Sequence, residues 1–224
     1  MLVLALDTTT RGGSCALLDD DVVVREQGGD PVRSHAERLP GDLIALLEGT
    51  GRSPDDVDVY AVAIGPGSFT GLRVGIATMQ GLAFATGKPL IGASALDALA
   101  QIARAPRVAT WVDAWRGEVY AALYEDGREV ESPSVERPQT VLARLDDRPT
   151  LFIGDGAASY ADAIRRVLPS ATIAEPALPL LASMIARLAG DEASAGHRPS
   201  PHAIRALYVR RPDAEVARNA RSER

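Results

Sequence analysis

The block Gly65-Pro66-Gly67-Ser68-Phe69-Thr70-Gly71-Leu72-Arg73-Val74-Gly75 has the clearest chemical potential in this chain. It follows an apolar run, Val57 to Ile64, that reads as a strand, and it opens a segment that reads as a helix. A glycine-rich strand-to-helix turn aims backbone N–H groups and the positive end of a helix dipole at one point, where an anion can sit. Two familiar phosphate motifs do not fit. A Walker loop ends in Gly-Lys-Ser/Thr, and the only lysine here is Lys88. The dinucleotide fingerprint needs a glycine where this chain has Thr70. Gly65, Gly67 and Gly71 equally suit a tight turn that needs unusual backbone angles and holds nothing. Spacing alone leaves both readings open.

Three other turns carry carboxylates or hydroxyls. Asp7-Thr8-Thr9-Thr10 closes one predicted strand, Asp113-Ala114-Trp115-Arg116-Gly117 closes another, and Gly154-Asp155-Gly156-Ala157 opens a helix. A carboxylate in such a turn can orient magnesium-bound water, while threonine hydroxyls and N–H groups hold phosphate oxygens. The candidate nucleotide-binding residues are therefore Asp7, Thr8, Thr9, Asp113, Gly154, Asp155 and Gly156. The competing reading is a set of structural turns. It is favoured by bulky Trp115 and Arg116 and by the lack of a lysine for a phosphate clamp.

Other chemistries find little footing. His197 and His202 have Pro199 and Pro201 between them, so they cannot share a helix face as zinc ligands do. His35 stands beside a helix cap and is expected to be exposed or to bond locally. Cys15 is the only cysteine, which excludes an internal disulfide and a sulfur-based metal site. It lies in an apolar run and reads as a core thiol in a reducing cytoplasm. No Gly-x-Ser-x-Gly elbow offers a hydrolase nucleophile. No metal ligand set is expected.

The elements that must position these turns follow from periodicity. Leu2–Leu6, Ser14–Leu18 and Val22–Glu26 read as an antiparallel meander. Ser34 and Glu37 form a capping box for a helix over 34–50, in which Pro40 should kink the helix or delay its start. Its stripe is Leu39, Leu43, Leu46 and Leu47, widened by Ile44 and Ala36. The segment 71–87 is apolar all round apart from Arg73, and Gly75 and Gly81 would let another backbone come close. Such a helix is either enclosed by its own domain or packed on a sheet on one side and a partner on the other. A strand over 89–93 and a helix over 94–104 complete a βββαβαβα half.

Ala105-Pro106 reads as a boundary between lobes 1–105 and 106–224. The second half begins again with strands at 108–113, 118–124 and 129–134, a helix over 139–145 and a strand over 150–153. Helices over 157–168 and 179–189 follow. No sequence repeat is visible, but the order of elements repeats. The fold class is therefore α/β, and duplicated βββαβα lobes resemble the actin-like and sugar-kinase-like ATPases, which hold nucleotide between their lobes. Net charge is −6 with a pI near 5.1, which argues against nucleic-acid binding by the chain as a whole. The exception is Arg205 to Arg224, where six arginines face Asp213, Glu215 and Glu223. That tail is a candidate RNA contact or a frayed, solvated end. No run is long and apolar enough for a membrane span, and the start lacks the features of a signal peptide, so a cytoplasmic location is expected.

Asp7-Thr8-Thr9, the Ser34-His35-Ala36-Glu37 helix with Pro40, the 65–75 block, Asp113-Ala114-Trp115-Arg116-Gly117-Glu118-Val119-Tyr120 and Leu207-Tyr208-Val209-Arg210 together resemble a known family. It is the dimerisation subunit of bacterial tRNA threonylcarbamoyladenosine biosynthesis. The resemblance runs nearly end to end. It implies the two-lobed actin-like fold and a larger catalytic homologue as partner. That homologue transfers a threonylcarbamoyl group to adenosine 37 of tRNAs reading codons that start with A, and a small ATPase joins the pair. The catalytic homologue carries a His-x-x-x-His metal pair where this chain has Ser94 and Ala98. A scaffold without catalysis of its own, and without a resident cofactor, is therefore expected. The resemblance places the partner contact on the first two helices, and the expected interface residues are Leu39, Leu43, Leu46, Leu47, Gly75, Met79 and Leu82. The same surface could pair with itself in a homodimer. Contact with tRNA would then come through the complex. The alternative is an autonomous ATP-hydrolysing protein that uses Mg-ATP at Asp7, Asp113 and Asp155.

Overall fold

The structure is a computed structural model that describes residues 1–209. Its first sheet begins with β1 (Leu2–Asp7), β2 (Ser14–Asp19) and β3 (Val22–Gly28), which pair antiparallel in a meander. Helix α1 (His35–Glu48) leads to β4 (Val59–Gly65), α2 (Phe69–Thr86) to β5 (Leu90–Ser94), and α3 (Ala95–Ala103) closes the series. β4 pairs parallel with β1, and β5 with β4, giving the order β3-β2-β1-β4-β5. β1 and β4 are covered on both faces, as their near-continuous apolar sequences require.

The second sheet repeats the plan. β6 (Arg107–Asp113), β7 (Val119–Glu125) and β8 (Arg128–Glu136) form the meander. After α4 (Pro138–Arg144), β9 (Thr150–Ile153) pairs parallel with β6. The short helices α5 (Asp155–Ser159) and α6 (Ala161–Val167) lead to β10 (Ala171–Ile173), and α7 (Ala182–Ser194) follows. Read from the meander edge, the order is β8-β7-β6-β9-β10, the counterpart of the first sheet. The duplicated βββαβαβα order is thus present. β10 was not anticipated, because three residues flanked by Ser170 and Ala174 carry almost no periodic signal. The helix expected over 157–168 is broken at Tyr160, and the one expected over 179–189 starts and ends later.

Ala105-Pro106 does separate the two sheets, but residues 182–194 do not join the second one. α7 packs on β1, β2, β4 and β5, whereas α3 lies against β6, β7 and β9 as well as β4 and β5. Each lobe therefore sends its last helix into the seam between the sheets. The reason is apolar area: Leu96 and Leu99 of α3 and Ile185, Ala186 and Ala189 of α7 share one core with Val3, Ala61, Val108 and Ile153. The Tyr124 hydroxyl donates to Asp97 Oδ1 at 2.5 Å across the same seam. The outer face of the first sheet is covered by α1 and α2, and that of the second by α4, α5 and α6.

α1 begins as its sequence requires. Ser34 N donates to Glu37 Oε2 at 2.9 Å, closing the capping box. Pro40 lies inside α1 rather than delaying its start. It removes one backbone bond near the N-terminus, and Ala36, whose carbonyl loses that bond, is exposed. Among the described residues no helix is long and apolar enough to cross a membrane. The arginine-rich tail lies, from Arg210 onward, outside the described residues.

Candidate functional site

The ends of β1 and β6 meet across a cleft of about 960 Å3 between the lobes. Asp7, Thr9, Asp113 and Asp155 all line it, so four of the seven candidate residues converge as expected. Asp7 Oδ1 accepts from Thr9 N at 2.8 Å and from Thr9 Oγ1 at 2.6 Å. Burial raises the Asp7 pKa above the ordinary aspartate range, and the Asp155 carboxylate adds to the effect. Asp155 Oδ1 accepts from Asp113 N and from Gly156 N, both at 2.9 Å. Its pKa is also raised, chiefly by burial and further by the Asp113 charge. Asp113 Oδ1 accepts from Trp115 N at 2.9 Å, shaping the turn after β6.

The other three candidates serve packing. Thr8 is fully buried, and its hydroxyl has no hydrogen-bond partner. It faces Gly75, where a β-carbon would collide with it. Gly154, at φ +115°, lies against the Trp111 carbonyl, and a β-carbon on Gly156 would stand 3.0 Å from the same oxygen. Neither glycine lines the cleft. Close approach of Gly154 and Gly156 to Trp111 of β6, and of Thr8 to Gly75, is the role the packing gives these residues.

The 65–75 block resolves in the same way. A β-carbon on Gly67 would lie 2.6 Å from the Thr9 carbonyl, and one on Gly71 would collide with the Thr8 carbonyl. Ser68 N donates to Thr9 O at 2.8 Å. Ser68 Oγ caps α2 by accepting from Gly71 N at 3.2 Å. The glycines let the start of α2 rest on the turn after β1, and that turn carries Asp7. The other side of the turn is tied to α1. His35 bonds the Thr10 carbonyl, and buried Arg38 reaches the Gly12 carbonyl and the Asp42 carboxylate. His35 is thus half-buried and bonds far along the chain.

The mouth of the cleft carries side chains that sequence reasoning did not assign. Phe69 at the start of α2, Tyr208 near the end of the described chain and Trp115 after β6 all line it. The Arg73 guanidinium lies 4.0 Å from the Phe69 ring centre, and that of Arg11 lies 5.6 Å from the Trp115 ring centre. Phe69 and Tyr208 rings are 5.5 Å apart, and Arg73 Nε donates to the Tyr208 hydroxyl at 3.3 Å. Nothing local predicts that residue 208 returns to residue 69. The return is fixed by Leu207 N donating to Ile64 O at 2.7 Å and by Gln80 Nε2 donating to Pro201 O at 2.9 Å.

The expected partner-interface side chains are elsewhere. Leu39, Leu43, Leu46 and Leu47 of α1 and Met79 of α2 are buried against β1, β2 and β4 in the outer core of the first lobe. Gly75 is buried against Thr8, and Leu82 packs partly on the same core. The apolar area of the buried leucines and of Met79 is taken up by the sheet, whereas Leu82 keeps part of its surface exposed. The exposed positions include Pro40, Gly41, Ile44 and Ala45 on α1, with Glu37 and Glu48 toward its ends, and Ala77, Gly81, Phe84 and Ala85 on α2. The apolar-all-round helix is thus enclosed on one side only.

Comparison with known proteins gives consistent likenesses. The TsaD family, described as tRNA N6-adenosine threonylcarbamoyltransferase, matches residues 23–189. The tRNA threonylcarbamoyladenosine biosynthesis protein TsaB of Haemophilus influenzae is 32% identical over 79% of this chain and 81% of its own length. An uncharacterized protein of Mycobacterium tuberculosis is 35% identical over 95% of this chain and 93% of its own. Among solved structures, YeaZ from Pseudomonas aeruginosa superposes with a TM-score of 0.77 at 32% identity, covering 92% of this chain and 99% of that one. The component A of the (R)-2-hydroxyglutaryl-CoA dehydratase of Acidaminococcus fermentans, at 12% identity and a TM-score of 0.57, shares the fold alone over 87% of this chain and 99% of its own. The architecture is the two-lobed actin-like, sugar-kinase-like plan.

Proposed function

The chain belongs to the TsaB family within the wider threonylcarbamoyltransferase family, and from that membership we propose that it acts in tRNA threonylcarbamoyladenosine biosynthesis as a non-catalytic scaffold. One observation carries the scaffold reading. At the start of α3, where the resemblance puts the catalytic homologue's paired histidines, Ser94 Oγ accepts from Asp97 N at 3.3 Å and caps the helix. Ala98 is fully buried in the core between the lobes. Neither position can offer an imidazole to a metal.

In this reading the outward face of α1 and α2 meets the equivalent helices of the catalytic homologue. Exposed Ile44 and Phe84 supply apolar area, and Gly41, Ala77, Gly81 and Ala85 allow close helix approach. The contact holds the catalyst in its active arrangement and forms a platform for the small ATPase. The complex carries the threonylcarbamoyl group to adenosine 37, and tRNA is engaged through the assembly. Without the catalytic partner, the same face pairs two copies of this chain.

Light scattering on a sizing column, with this chain alone and mixed with its genome's histidine-bearing homologue, tests the reading. A 1:1 or 2:2 complex is expected. Two separate peaks, in the presence of nucleotide and the small ATPase, would overturn it. A second reading is favoured by the meeting of Asp7, Asp113 and Asp155 in one cleft. There the chain binds and hydrolyses Mg-ATP unaided. Calorimetric titration of the lone protein with Mg-ATP separates the two: measurable heat of binding favours the ATPase, and its absence favours the scaffold.

A further inference from the structure

We propose that the mouth of the interlobe cleft is a stacking site for an unpaired base of single-stranded RNA, with the phosphates of the strand held outside the cleft. The choice of RNA as the polymer rests on the tRNA reading above. The aromatic geometry does not.

Four aromatic rings are among the exposed large side chains of the described residues: Phe69, Phe84, Trp115 and Tyr208. Three of them, Phe69, Trp115 and Tyr208, line this one cleft at 43%, 55% and 44% exposure. Large aromatic side chains left about half exposed together at one cleft mark a place where something else can lie. Two of the three carry a guanidinium, Arg73 over Phe69 and Arg11 over Trp115. A ring with an adjacent arginine plane is the arrangement on which unstacked bases settle, because every base offers a π-face to both.

The backbone keeps Trp115 in place at a cost. Trp115 and Arg116 have φ of 60° and 59°, a left-handed conformation that bulky residues rarely adopt. The turn holds them there through Ala114 N donating to Glu118 O at 3.0 Å and Glu118 N donating to Trp115 O at 3.1 Å. Strain of this kind concentrates at ligand sites.

Charge decides how the ligand enters. The floor carries the Asp7, Asp113 and Asp155 carboxylates, with no lysine among the lining residues. Phosphates cannot approach that floor without a cation to neutralise it. The guanidiniums of Arg11 and Arg73 stand with the rings at the mouth. A base can therefore go in while its phosphates stay out beside the arginines. That geometry suits a base splayed from a strand and disfavours a free nucleoside triphosphate.

Fluorescence anisotropy with a labelled single-stranded ribo-oligonucleotide on the lone protein tests the proposal, and because it needs no partner its outcome is independent of complex formation. The oligonucleotide is expected to bind, with adenosine a weaker competitor and ATP, with or without magnesium, weaker still. Trp115→Ala and Tyr208→Ala should each weaken binding about tenfold, in line with the loss of one base–ring stack. Tyr208→Phe keeps the ring and should bind as the wild type does. If Tyr208→Ala loosens the returning chain, Trp115→Ala carries the test, since that ring is exposed and outside every core. No binding, equal binding by the alanine variants, or displacement by ATP at lower concentration than by unlabelled oligonucleotide would each overturn the proposal. Equal binding would place the RNA on arginines alone.

Discussion

His35 Nε2 donates a hydrogen bond to the Thr10 carbonyl at 2.9 Å, across 25 residues of chain. A carbonyl only accepts, so this nitrogen carries the proton, and Nδ1 is left to accept from Arg38 at 2.9 Å. A second proton on the ring would point at a guanidinium. Burial lowers the His35 pKa from its ordinary 6.5, the nearby Arg38 charge adds to that, and the Thr10 bond opposes both. Below 6.5 the unfolded chain therefore takes up a proton that the folded chain resists. Stability should be complete above pH 6.5 and decline as pH falls from there to the lowered folded value. Urea midpoints between pH 5 and 7.5 check this. His35→Gln, which has no proton to gain, should flatten that part of the profile, and an unchanged slope in the variant would assign it to other groups.

Two glycines of α2 should respond oppositely to alanine. At Gly71 a β-carbon would collide with the Thr8 carbonyl, which is backbone and cannot swing away. Gly71→Ala should cost about 1–3 kcal/mol, the usual range for overpacking. At Gly81 nothing lies within 4 Å. Gly81→Ala should stabilise by about 0.5–1 kcal/mol through helix propensity. Thermal unfolding of the pair reads both signs, and a stable Gly71→Ala would mean that α2 does not need to rest on the turn after β1.

What could be read in advance, and what could not, follows from the range of each signal. The meander, the capping box at Ser34 and the Asp7, Asp113 and Asp155 turns are local patterns, and the duplicated order of elements brought those turns to one cleft. The glycine block was legible as special but not as to purpose, because its neighbour, the Thr8–Thr9 backbone, is far away in sequence. The leucine stripe of α1 identified a buried face without saying what would bury it, and the sheet does. Tyr208 against Phe69 and α7 against β1 depend on the chain returning to the first lobe, which no window of residues encodes.

Thr8 offers a test that separates packing from ligand binding. Its hydroxyl is buried with no partner, so it contributes only a desolvation penalty to the fold. Thr8→Val keeps the shape and removes the oxygen. The variant should be as stable as the wild type or more stable by about 1 kcal/mol. Denaturant unfolding measures it. A loss of stability would show that the hydroxyl is satisfied in solution by a bound water or another polar partner.

The proposed partner face leads to a last contrast, between charges placed outside and inside α1 and α2. Ile44 is 54% exposed on α1, and Ala77 is exposed on α2. Ile44→Glu and Ala77→Glu should leave the far-ultraviolet spectrum and melting temperature nearly unchanged, since surface substitutions usually stay within about 0.5 kcal/mol. Each should nevertheless abolish the complex with the catalytic homologue, because a carboxylate buried in an apolar contact without a partner is strongly unfavourable. Met79 is fully buried, so Met79→Glu should unfold the lobe and lose the complex for that reason alone. Sizing chromatography and melting curves on all three variants distinguish the causes. A complex that survives both surface charges would move the contact off these helices, while loss of the fold in Ile44→Glu would mean that Ile44 is part of the core after all.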